Sequence, residues 1–464
     1  MMAFFSPRLP HRLIGLLRSD TLKARAAKGT AWTIGGLLTA QFMRLASNLV
    51  LTRLLFPEAF GLMALVQIFL TGLNMFSDIG TRVSIIQNDR SRDPAFLNTA
   101  WTLQVLRGLL LWLFACAIAL PVAWFYDDPR LAQMLPVAGL VLLISGFNPT
   151  RIYTTNRDLV LGRLTTLEIT AQFLGILVMI ALAILLQSVW AMVIGTLMTA
   201  AIKLALYQHA LPGHRDRFQV DRSALGDLIR FGKWIFLSSA CGFVVNNADR
   251  AILGKFITLD MLGIYTVGFF LASVPLLLGR PLASKIALPL YKQRPTWESM
   301  DNRRKIFRMR RFMTAGLLGI SAVLALSGDL LVGLLYDPRY ALAGPILVLL
   351  VISQLPAVIL SSYDRVLLAA GDSKRFMTRV STIALAQTTL MILGLIQFGL
   401  IGALLAPGLA AILVYPVLVS AIRRYDAWDR AHDLLYGSMA LVIAALALWV
   451  NHAAIADLVA QTLP

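Results

Sequence analysis

Charged residues are scarce in this chain: 14% of 464 positions, against 58% that are hydrophobic, with a mean hydropathy of +0.74. Soluble globular proteins carry about 25% charge, so composition excludes a soluble enzyme or binding module. Cysteine is scarcer still. Cys116 and Cys241 both fall inside apolar windows, which excludes a disulfide framework. The five histidines (11, 209, 214, 432 and 452) lie in arms, in loops or at a span end and have no metal-ligand spacing. The stretch AAGDSKR contains Gly371 and Lys374 but not the Gly-x4-Gly-Lys-Ser/Thr pattern, so no ATP site is encoded. No catalytic constellation, cofactor or metal is expected, and energy has to come from an ion, voltage or substrate gradient. The N-terminal arm lacks the ordered regions of a signal peptide. It reads either as an interfacial helix, with Leu13, Leu16 and Leu17 toward lipid, or as a solvated basic tail.

What the chain has is apolar length. A membrane helix needs about 20 apolar residues, and about thirteen such windows run from 31–52 to 434–451. The net charge of +18 suggests nucleic acid until the charges are placed. Of 42 Lys and Arg, 34 fall in the N-terminal arm and in alternate loops, four in the intervening loops and four within spans. This is the positive-inside pattern, which excludes a nucleic-acid partner and puts the N-terminus in the cytoplasm; an odd span count puts the C-terminus outside.

The chain also repeats itself. A shift of 202 residues aligns RLLFPEAFGLM (53–63) with KFITLDMLGIY (255–265), placing Gly61 on Gly263, and a shift of 209 to 210 pairs FYDDPRLAQMLPV (125–137) with LYDPRYALAGPIL (335–347). Six spans separate the copies, so both halves have one orientation. The expected fold is an all-α integral membrane protein of about 12 to 14 transmembrane helices, in two parallel-repeat six-helix lobes around a central cleft. The divisions are a basic arm (1–30), an N-lobe (31–208), a cytoplasmic linker (209–230), a C-lobe (231–422) and a tail with about one further span (423–464).

Polar groups inside the spans are costly, about 2.5 to 3.5 kcal/mol for a charge at mid-depth, so they mark candidate sites. Under the 202 shift Arg44 aligns with Asn246 and Asn48 with Arg250, and Gln41 shares the face of Arg44 and Asn48. Gln104 and Arg107 add polar groups to span 3. A guanidinium forks two donors toward phosphate oxygens, so Arg44, Arg107 and Arg250, with Asn48, Gln104, Asn246 and Asn247, are expected to bind an anionic, hydroxyl-rich substrate. Structural roles stay open for each, with Asp249 and Arg250 free to snorkel to the interface. Asp249 is the acidic residue set well inside a span away from the cytoplasmic ends, which makes it the candidate for ion coupling. Asp78 and Arg280 also align and are either gate residues or a structural pair.

RLLFPEAFGLMALV, NMFSDIG, FYDDPRLAQMLPV, RFGKWIF, NNADRAILGKF, MLGIYTVGFFLASVP and LLAAGDSKR, in this order over roughly residues 28 to 422, resemble the Wzx-type polysaccharide transporter branch of the multidrug/oligosaccharidyl-lipid/polysaccharide flippase superfamily. The resemblance implies a non-enzymatic flippase of the bacterial inner membrane. It would move undecaprenyl-pyrophosphate-linked oligosaccharide to the periplasmic leaflet for exopolysaccharide, O-antigen or capsule assembly, as a monomer among membrane lipids, with polymerase and export machinery as partners. The alternatives are a multidrug or lipid II transporter of the same fold, and a membrane-embedded polysaccharide polymerase or ligase. The last would need a large periplasmic loop, and the outer loops here run to about ten residues.

Overall fold

The computed structural model describes residues 22–77, 85, 90, 92–158 and 160–462, with side chains described in those ranges except at 22–31 and 226–241. Asp78 and the arm up to Thr21 therefore lie outside the described residues. The first half contains α1 (Leu22–Leu54), α2 (Pro57–Phe76), α3 (Pro94–Tyr126), α4 (Arg130–Gly146), α5 (Arg151–Arg157), α6 (Leu161–Leu186) and α7 (Trp190–Ala210). The second contains α8 (Arg222–Phe256), α9 (Leu259–Ala272), α10 (Val274–Leu282), α11 (Leu288–Gln293), α12 (Met300–Leu335), α13 (Ala343–Leu360), α14 (Asp364–Ala369), α15 (Ser373–Leu413) and α16 (Tyr415–Arg423). Two last helices follow, α17 (Arg430–Val450) and α18 (His452–Thr462).

Among the described residues, nine helical segments are long and apolar enough to cross a membrane, and two bent pairs, α4 with α5 and α9 with the segment 274–293, raise the number to eleven. The chain is a multi-pass, all-helical membrane protein, and the expected windows fall on these segments, except that at 233–254, which falls on α8. The segment Ser373–Arg423 holds two expected windows because α15 breaks at Phe398 and Gly399. Gly399 takes φ 58°, a conformation open to glycine, and Gly394 and Gly402 let the backbones on either side of the break touch.

The repeat is visible in the helix ends. α1 and α8 end 202 residues apart, α2 and α9 begin 202 apart, and α3 and α12 end 209 apart. The Asp-Pro-Arg corners are built alike. Asp128 Oδ1 accepts from Arg130 N (2.9 Å) and Nε (3.0 Å), and Asp337 Oδ1 accepts from Arg339 N (3.0 Å) and Nε (2.8 Å). In each the carboxylate caps the turn and holds the arginine side chain at once.

Packing divides the chain into two units, Met1–Leu54 with Leu73–Leu237, and Leu55–Gly72 with Ser238–Pro464. Within the first, the expected linker is sewn down. Asn98 accepts from Arg217 N (3.0 Å) and donates to Gln219 Oε1 (2.8 Å), Thr99 accepts from Asp221 N (2.9 Å), and Arg90 donates to Ser223 Oγ (2.8 Å). Asp216 accepts from Thr150 N (2.9 Å), and burial raises its pKa. Within the second, residues 55–72 pack with the C-terminal half because α2 and α9 meet backbone to backbone. A Cβ on Gly61 would strike the Leu259 carbonyl and one on Gly263 the Pro57 carbonyl.

Candidate functional site

In the first unit the polar stripe of α1 is open. Arg44 is exposed, and neither it nor Asn48 makes a hydrogen bond or ion pair to a described residue; Gln41 Oε1 is buried without a partner. The stripe sits on a helix held from elsewhere: Gln172 Nε2 donates to Ala40 O (3.0 Å), and Gly36 lets α6 approach at Thr165. Arg107 is tethered, with Nε donating to Ser77 Oγ (3.0 Å) and Nη2 to Asn74 O (2.6 Å) and Oδ1 (2.7 Å).

Gln104 is 7% exposed, and its amide donates to Gly146 O (3.0 Å) and Asn148 O (3.0 Å) while its Oε1 accepts from Tyr153 (2.9 Å). Both amide hydrogens are thus committed to the end of α4, where the last carbonyls of a helix lack internal partners. The geometry makes Gln104 a staple between helices, and we leave it out of the ligand-contacting set.

In the second unit the equivalent stripe of α8 is wired. Asn246 Oδ1 accepts from Arg280 Nη1 (2.8 Å) and its amide bonds Gly242 O (2.6 Å); the Asn247 amide bonds Phe243 O (3.3 Å). The Arg250 guanidinium lies 4.4 Å from the Phe269 ring centroid, with Nε buried and without a partner. Asp249 is 6% exposed; its Oδ2 accepts from Tyr265 OH at 2.5 Å, and its Oδ1 has no partner among the described residues. Arg280 is exposed and shares its electrostatic surroundings with Arg365 and Asp364, the latter paired with Arg379.

The structure thus brings Asn246 to Arg280 and surrounds Asp249 and Arg250 with α9. Sequence reasoning missed Tyr265, Phe269 and Arg365. The first two left a signal in the repeat. Asp249 and Tyr265 stand where the first half has Ser47 and Met63, and Arg250 and Phe269 where it has Asn48 and Gln67. Both members of each pair differ between the two copies. Arg365 left none, because a cation just past a span reads as a loop charge.

Chemically, the two stripes offer guanidinium and amide donors and one carboxylate with a free oxygen, which suits binding of phosphate and hydroxyl groups and uptake of a cation. Among the described residues no cluster of three or more His, Cys, Asp or Glu could hold a metal. The chain is similar to the teichuronic acid biosynthesis protein TuaB of Bacillus subtilis, 22% identical over 63% of this chain and 61% of that protein. It is also similar to the succinoglycan biosynthesis transport protein ExoT of Rhizobium meliloti, 22% identical over 66% of this chain and 61% of that one. It thus spans about three fifths of the length of these relatives. Among solved structures, the lipid II flippase MurJ in an inward closed conformation superposes with a TM-score of 0.68 over 90% of this chain and 92% of that one, at 13% identity, a likeness of fold. Residues 50–344 match the model of a family described as polysaccharide biosynthesis protein, and the chain belongs to that family.

Proposed function

We propose that this protein is a flippase that carries undecaprenyl-pyrophosphate-linked oligosaccharide from the cytoplasmic to the periplasmic leaflet of a bacterial inner membrane, by alternating access, for exopolysaccharide, O-antigen or capsule assembly. One observation carries the reading: Arg44, in the middle of a membrane span, is exposed and has no carboxylate partner among the described residues. A guanidinium kept there at a cost of a few kcal/mol needs an anion for part of its working cycle, and a lipid pyrophosphate supplies one. The names of TuaB and ExoT, which refer to polysaccharide biosynthesis and transport, and the fold shared with a lipid II flippase support this cargo class.

In this reading Arg44, Arg107 and Arg250 are the phosphate-binding cations, Asn48, Asn246 and Asn247 bond phosphate or sugar hydroxyls, and Arg280 is a gate residue. Asp249, with one oxygen on Tyr265 and one uncommitted, takes the coupling proton or Na⁺. The 209–230 connector is fastened to the first unit through Asp221 and Ser223 and runs on into α8. The charge pattern supports a cytoplasmic N-terminus.

The deciding experiment is accumulation of lipid-linked oligosaccharide in a deletion strain. The strain is expected to accumulate it on the cytoplasmic face and to lose the surplus when the wild-type gene returns; polymer export without accumulation would end the reading. For coupling, flipping in proteoliposomes is measured under an imposed pH or Na⁺ gradient. A response that is the same in wild type and Asp249→Asn would return Asp249 to a purely structural role.

A further inference from the structure

The second unit contains a groove that the transport reading leaves unused. It has a volume of about 540 Å³, within the range of about 300 to 1,000 Å³ typical of small-ligand sites. Its apolar walls are Pro356 and Ile359 of α13, Ala411 and Ile412 of α15, and Leu434 of α17, and its polar lining is Tyr415, Trp428, Arg430 and Asp433. All three walls are membrane-spanning elements, so the groove opens between spans, beside their basic ends.

The carboxylate of the polar lining is spoken for. Asp433 accepts from Tyr363 OH (2.7 Å), Tyr415 OH (2.6 Å), Trp428 Nε1 (3.1 Å) and His432 Nδ1 (2.8 Å). His432, wholly buried, reaches Thr314 Oγ1 at 3.0 Å through its other nitrogen. Behind Tyr363 lies the wholly buried Arg310, 3.9 Å from the ring centroid and bonded to Ala427 O (2.8 Å) and Tyr291 OH (2.5 Å). Nothing in this wall offers a free anion to the groove.

The cations at the mouth are free. Arg430 and Arg423 flank the Trp428 ring at 4.5 and 6.0 Å from its centroid, both exposed and neither paired with a carboxylate among the described residues. Of the nearby acids, Asp429 is engaged by Arg311 at 3.1 Å, leaving Asp426 against Arg423, Arg424 and Arg430. An apolar channel between spans, a tryptophan at its rim and unpaired arginines over that tryptophan are complementary to one kind of molecule.

We propose that this groove binds an anionic phospholipid of the surrounding bilayer, one acyl chain lying between α13, α15 and α17 and the headgroup phosphate on Arg430 and Arg423. Basic pockets between spans recognise acidic lipid headgroups in this way, and tryptophan sits at headgroup depth. The proposal needs the spans to cross a membrane and does not depend on the identity of the cargo.

The test uses full-length protein, delipidated in detergent, with phosphatidylglycerol, phosphatidylcholine, glycerol phosphate and undecaprenyl phosphate as probes, read by native mass spectrometry and by the thermal unfolding midpoint. A lipid that binds the folded state raises that midpoint. Wild type is expected to retain one phosphatidylglycerol and to be stabilised by it, but not by phosphatidylcholine or glycerol phosphate. The double variant Arg423→Gln/Arg430→Gln, both surface positions, should bind it about tenfold or more weakly. Leu434→Trp, at the 75% exposed rim of the groove, should block the chain while leaving the arginines in place. Equal stabilisation by phosphatidylcholine, unchanged binding in both variants, or displacement of phosphatidylglycerol by undecaprenyl phosphate at equal concentration would each overturn the assignment. The last would make the groove a rest for the cargo tail, and response to glycerol phosphate alone would make it a phosphate site only.

Discussion

The polar stripe of α1 and that of α8 occupy the same place in the repeat and are built in opposite ways. On α8, Asn246 is tied to Arg280, Asp249 to Tyr265, and Arg250 rests on Phe269. On α1, Arg44 and Asn48 reach no described partner. The repeat aligns Asp78 with Arg280, so at that position the second half has a cation where the first has an acid. A duplicated scaffold has kept one stripe available and has wired the other, and an available cation inside a membrane is where an anionic cargo gains most. The contrast predicts that the α1 stripe governs transport and that the α8 stripe governs stability as well.

The largest effect is expected at Arg44. Arg44→Ala should reduce polymer export in the deletion strain on the order of tenfold to a hundredfold, and Arg44→Lys should recover part of it by keeping charge without the fork. The unfolding midpoint of the purified protein should scarcely move, since no described contact is lost. Full export by the Ala variant at normal expression would break the comparison.

Tyr265→Phe comes next and acts on the other side of it. It strips the buried carboxylate of its donor and should destabilise the fold by about 1 to 3 kcal/mol, seen as a lower unfolding midpoint in detergent. An unchanged midpoint would show that the α8 wiring is incidental. Arg250→Met keeps volume against Phe269 but removes the cation over the ring, for an expected loss of about 1 kcal/mol together with weaker transport. Smallest is Asn48→Ala: a change within about 0.5 kcal/mol in stability, with transport lowered only a few-fold. If Asn48→Ala destabilised more than Tyr265→Phe did, the assignment of open and wired stripes would be reversed.

Much of this architecture is legible in the amino-acid sequence. Helix positions follow from apolar length, and the breaks at Asp128-Pro129-Arg130 and Asp337-Pro338-Arg339 from the chemistry of the corner. The 202-residue shift finds the ends of α1 and α8 because a repeat keeps length as well as letters. What hydropathy cannot show is which way a polar group faces. Gln104 reads as a ligand for sugar, and is a staple because the end of α4 brings unpaired carbonyls to it. Arg310 reads as one of nine basic loop charges in 285–311, yet it is wholly buried, since Tyr291, Tyr363 and Ala427, distant in sequence, close around it. The segment 209–230 reads only as a basic cytoplasmic linker. Its polar groups are the ones that fasten it to α3.

The mutual contact of Gly61 and Gly263 bears on ancestry. Gly61 meets Leu259 and Gly263 meets Pro57, and each pair is related by the same 202-residue shift, so the contact is self-complementary. That arrangement, residue i on j and j on i, is the signature of a twofold homodimer interface. Two copies of a half-length polypeptide would already have possessed it. In a single chain the two glycines are separate positions, and a Cβ at either one alone would strike a backbone carbonyl of the other copy.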